Sequence, residues 1–233
     1  GFNPAEGHAG SDLIATDIFE DSYVSLAKVT ISRLVQGDKQ NENLSTVAKG
    51  NRSGEAVFNT IKLMLPGGDA IDSGNASAEI TGIIRNLFKN PFMIFNYSAG
   101  IGRIIKNLSF DVGHSITKNI AKADMSDPKN ATVLATAQNM VDNFGLLDPS
   151  NDKPIKNVTQ LQEVLRNYDL KKVKLSKSIT VGNPKPGRTK AKASYDLENL
   201  LIETVSLTYG EVVKDVFTET FEPFVKTQEA MND

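Results

Sequence analysis

Apolar residues recur at a helical period along most of the chain. Between Ser11 and Val35 they fall at Ile14, Ile18, Phe19, Tyr23, Leu26, Val29 and Leu34, which predicts a helix over about 12–35 with Ser11 as N-cap. Residues 36–53 are polar and glycine-punctuated and read as a loop. A short helix is predicted from about Gly54 to Leu65, closed by "PGGD" at 66–69, and helical pattern resumes over 77–109. Further helices are predicted over Thr132–Phe144 and Thr159–Tyr168, joined by the polar linker "DPSNDKP". In "VKLSKSITV" the apolar Val173, Leu175, Ile179 and Val181 occupy odd positions, a strand or hairpin pattern. "GNPKPGRTKAK", 182–192, reads as an irregular basic loop. From Ser194 to Phe221 the apolar spacing predicts a long helix, weakened at Gly210 and ended near Pro223. The expectation is a mainly α fold with a minor β-hairpin.

Composition narrows the function classes. A chain of 233 residues with 39% hydrophobic and 23% charged positions has the makings of a globular core. A net charge of −2 gives no global attraction to polyanions, so any such site must be local. The absence of cysteine excludes disulfides and thiolate metal sites, and two histidines make a structural zinc site implausible. His8 in "EGHAG" and His114 in "VGHSI" read as loop or surface histidines. No apolar run approaches membrane-spanning length and no signal pattern opens the chain, so the expected setting is a cytoplasm, without membrane partners.

Two local charge patterns stand out. In "RNLFKNPFMIFNYSAG", 85–100, Arg85, Lys89, Met93 and Tyr97 follow one another at four-residue steps. Each step advances about 40° round a helix, so the four make one slowly spiralling stripe. No acidic residue lies between Glu79 and Asp111 to neutralise the two cations. Arginine as a fork and lysine as a point charge suit triphosphate oxygens, and a tyrosine farther along can pack on a sugar or base. The alternative is that Met and Tyr on such a stripe are core. The second pattern is Lys171, Lys172, Lys174, Lys177, Lys185, Arg188, Lys190 and Lys192, with no acid between Asp169 and Asp196. Region 171–193 fits a nucleic-acid backbone, or else a solvated run that keeps a strand edge from aggregating.

The four-residue stripe resembles motif B of the single-subunit bacteriophage-type and mitochondrial RNA polymerases, R-x-x-x-K-x-x-V-M-x-x-x-Y-G, with Phe92 in the Val place. That resemblance implies the fingers of a right-hand, DNA-directed RNA polymerase. It implies that Arg85 and Lys89 bind the incoming ribonucleoside triphosphate, Lys89 as a catalytic residue, and that Met93 and Tyr97 complete the nucleotide site with Tyr97 judging the sugar. "TDIFEDSYVSLAKVTISRL", 16–34, resembles the helix after the family's first palm aspartate, and "SYDLENLLIETVSLTYGEVV" the helix, 194–222, before the second. Neither the D-x-x-G-S-type nor the H-D-S palm motif is present, and Asp72 in "DAIDSG" is only a superficial candidate. The resemblance therefore implies Mg2+ held by palm aspartates outside this chain, no metal site within it, and a fragment or split subunit inactive alone. The implied partners are DNA template, RNA product and the remaining polymerase segments; Lys185, Arg188, Lys190 and Lys192 are the expected nucleic-acid contacts. Ser98 replaces the glycine after the tyrosine, and Pro91 is expected to kink the helix. A family A DNA polymerase shares R-x-x-x-K and Y-G, although Met93 favours the RNA enzyme; a non-catalytic helical nucleic-acid-binding module is the other alternative.

Overall fold

The structure, a computed structural model, describes residues 63–64, 67–70, 78–97, 100–182 and 192–220. The expected helix over 12–35, most of the one over 54–65, and His8, Asp72, Ser98, Lys185, Arg188 and Lys190 lie outside the described residues. Five α-helices and a two-stranded sheet are described: α1 (Ala78–Asn96), α2 (Ile101–Lys122), α3 (Ala131–Phe144), α4 (Val158–Asn167), β1 (Lys174–Val181), β2 (Lys192–Asp196) and α5 (Leu197–Thr220).

Helix α2 organises the rest, because one face is apolar at every fourth residue. Ile104, Leu108, Val112, Ile116 and Ile120 are all buried, and α5, α1, α4 and α3 pack around them. The region expected as helical over 77–109 holds two helices, the first ending at Asn96 and the second starting at Ile101 and continuing to Lys122. Polar Asn107, Asp111 and Ser115 hide that continuation in the sequence, yet they lie off the apolar face. Gly113 sits inside α2 because α5 comes close: a Cβ there would stand 3.1 Å from that of Leu201. His114 is therefore on a helix rather than in a loop, and the glycine beside it serves helix packing.

The last carbonyls of α2 have no helical partners of their own. Gln162 on α4 donates to Ile120 O at 2.9 Å and Ala123 O at 2.8 Å, and Arg166 Nε donates to Ala121 O at 2.6 Å. Asp69, in the turn of the "PGGD" segment, accepts from the Thr132 amide at 2.7 Å and caps α3. Gly145 ends α3 at φ +59°, where a Cβ would collide with Ser176 Oγ. This glycine lets β1 start against the end of α3, with the Ser176 amide donating to Gly145 O at 2.7 Å.

The strands pair antiparallel, with Ile179 opposite Ser194 and an irregularity between Lys174 and Ile179. Residues 192–196, expected as loop end and helix start, are strand. The physical reason is the cap: Asp196 accepts from the Asn199 amide at 2.8 Å, so α5 begins at Leu197. Gly210 does not interrupt α5; it lies buried where Ile105 of α2 approaches. No helix among the described residues is long and apolar enough to cross a membrane.

Candidate nucleotide-binding face

Helix α1 has two faces. Phe88, Pro91 and Phe95 recur at the spacing of one helical side, and all three are buried, Phe95 to 1% exposure. They seat α1 on α2. Pro91 removes one backbone donor, but the helix runs through it from Ala78 to Asn96.

The motif residues climb away from that seat. Arg85 is half-buried beside it, Lys89 is exposed, Met93 is 40% exposed and Tyr97 is 82% exposed. This gradient follows from the 40° advance per four-residue step: the stripe begins near the packed face and ends opposite it. Met93 and Tyr97 are therefore not core side chains. At the helix end the Tyr97 amide donates to Ile94 O at 3.1 Å, which fixes the backbone that carries the ring. Lys89 forms no ion pair with any described residue. The first acid downstream, Asp111 on α2, accepts from Asn90 Nδ2 at 3.4 Å. Burial holds the Asp111 carboxyl above its ordinary range, an effect that the Asn90 amide and His114 partly oppose.

Lys192 is exposed on β2, while its expected companions Lys185, Arg188 and Lys190 lie outside the described residues. Lys172, Lys174 and Lys177 are exposed nearby. The hairpin packs on α5 and α3 and α1 on α2, so the two sets of candidate residues stand on different elements. Among the described residues no group of three His, Asp or Glu side chains could hold a metal ion.

Sequence reasoning missed three features. His114 Nε2 lies 3.1 Å from Oε1 of buried Glu198, whose Oε2 is 3.6 Å from Lys171 Nζ, a polar lock between α2, α5 and the turn before β1. Tyr195 is 64% exposed on β2 among the lysines. A cleft of about 820 Å³ opens between α1, α2, α4 and the 170–172 turn. Its cations, Lys118, Lys122 and Arg166, are dispersed in sequence; only the four-residue step from Lys118 to Lys122 hinted at a shared face.

Residues 32–233 match the family model of the bacteriophage N4 RNA polymerase, helical domain. The chain belongs to this family. For an N4 RNA polymerase helical domain, a mainly helical fold with a small antiparallel sheet agrees with the expectation drawn from periodicity, and the family bears out the resemblance to phage RNA polymerases. No curated protein and no solved structure matches the chain.

Proposed function

We propose that this N4-type helical domain is the fingers region of a DNA-directed RNA polymerase, and that the exposed stripe of α1 receives the incoming ribonucleoside triphosphate. The observation that supports this most is that Met93 and Tyr97, large and partly apolar, stand out of the core on the same stripe as Lys89. A stability role does not account for them there. Arg85, at the edge of the packed face, is the fork for phosphate oxygens, and Lys89 is the mobile point charge that meets charge developing on the leaving pyrophosphate. Tyr97, at the far end, lies where a sugar or base would rest.

The two-metal chemistry of nucleotide addition needs carboxylates that the described residues do not group together. Magnesium would be held by palm aspartates outside this chain, and the chain would make no RNA alone. The basic segment carrying Lys185, Arg188, Lys190 and Lys192 would hold the backbone of DNA template or RNA product, in the host cytoplasm.

The test is single-turnover elongation by the assembled polymerase carrying Lys89→Ala. Loss of one oriented electrostatic contact predicts a rate lower by about 10²–10³. A rate within a few-fold of wild type would remove Lys89 from catalysis.

A further inference from the structure

We propose that the cleft between α1, α2 and α4 binds single-stranded nucleic acid, at a site separate from the triphosphate stripe. Neither Arg85 nor Lys89 lines it. Its cations outnumber its carboxylates three to two, Lys118, Lys122 and Arg166 against Asp111 and Asp169, and each carboxylate already accepts a bond from a neighbouring amide. Asp111 is engaged by Asn90 at 3.4 Å, and Asp169 accepts from the Lys171 amide at 2.9 Å. Buried Glu198, behind His114, is held by that histidine and by Lys171. The cations are left over. Among the described residues Lys118 and Lys122 form no ion pair, and Arg166 donates from its Nε to Ala121 O.

That last bond fixes the guanidinium at the end of α2, on the same side as the two lysines. Lys118 and Lys122 are one turn apart, about 6 Å along the axis, comparable to the step between successive phosphates of a strand. The remaining lining is not that of a bare phosphate site. Leu87, Leu165 and half-buried Tyr168 offer apolar and aromatic surface, and the Asn86 amide adds hydrogen-bonding capacity. A row of cations beside an aromatic and apolar wall is the arrangement that follows a single strand, with phosphates on one side and bases packed on the other.

The experiment uses the full chain and fluorescence anisotropy with labelled oligothymidylate and, separately, oligouridylate. Lys118→Ala with Lys122→Ala removes two exposed cations that no described contact needs. If both meet phosphates, affinity falls about 25-fold at 0.1 M salt and the log–log salt slope flattens by about 1.4. Tyr168→Leu, which keeps apolar bulk, lowers affinity about fivefold or more through lost stacking. A preference for one oligonucleotide identifies the strand as DNA or RNA. Affinity and slope unchanged in the lysine variant, with its circular dichroism intact, overturn the proposal. So does failure of that variant to assemble with the polymerase while oligonucleotide binding persists, since the cleft is then a protein interface. Binding of a labelled ribonucleoside triphosphate, measured in parallel, is unchanged by these substitutions and lowered by Lys89→Ala; the two sites therefore fail separately.

Discussion

The two faces of α1 make opposite predictions for neighbouring aromatic residues. Phe95 is 1% exposed and packs in the cluster that includes Phe88, Ile104 and Leu108. Phe95→Ala removes that burial and leaves a cavity, at a cost of about 3–5 kcal/mol. For a chain of this size each kcal/mol moves the midpoint by roughly 2–4 °C, so the expected loss is about 6–20 °C. Tyr97, two residues on, is 82% exposed. Tyr97→Ala deletes a comparable ring but returns little surface to water, and its effect should stay within about 0.5 kcal/mol. Thermal and urea unfolding followed by circular dichroism read both variants under one condition. A destabilisation by Tyr97→Ala matching that of Phe95→Ala would refute the reasoning, because Tyr97 would then be part of the core.

Other outcomes follow from single contacts. His114→Ala leaves buried Glu198 with Lys171 alone and should destabilise by about 1–3 kcal/mol in urea unfolding. Burial raises the Asp111 carboxyl, so stability is lost progressively as the pH rises from the ordinary carboxylate range to its folded pKa, the full cost stands above that, and acidification relieves it. Asp111→Asn should therefore raise the melting temperature at neutral pH, with a difference from wild type that shrinks as pH falls through that folded pKa. Tyr97→Phe, in the assembled polymerase, should lower the kcat/KM preference for ribonucleotides over deoxynucleotides by about two- to tenfold, the worth of one hydrogen bond.

Much of the helical layout could be read from periodicity, because the core is built from regularly spaced apolar residues. The limits of α3 and α4 follow directly from it, and β1 from the alternation of Leu175, Ile179 and Val181. What periodicity obscured was governed by contacts distant in sequence. Gly113 resembles a breaker until Leu201 is placed against it, and the start of α5 depends on the Asp196 cap and on Ser194 turning inward to Glu203 at 3.0 Å. The α1 stripe was legible as a spacing, but its exposure was not, since Met and Tyr at helical intervals fit a core equally well. The cleft was hidden because Asn86, Lys118 and Arg166 meet only after three helices have packed.

An incoming nucleotide lying along the exposed stripe of α1 would place its base within reach of Met93 and Tyr97. Photo-crosslinking of a 4-thiouridine triphosphate in an assembled, stalled elongation complex, followed by peptide mass spectrometry, tests that placement most directly. The expected adduct lies within 85–97, centred on Met93 or Tyr97 and diminished by Lys89→Ala. Efficient crosslinking confined to other segments or other subunits, with none on α1, would contradict the placement.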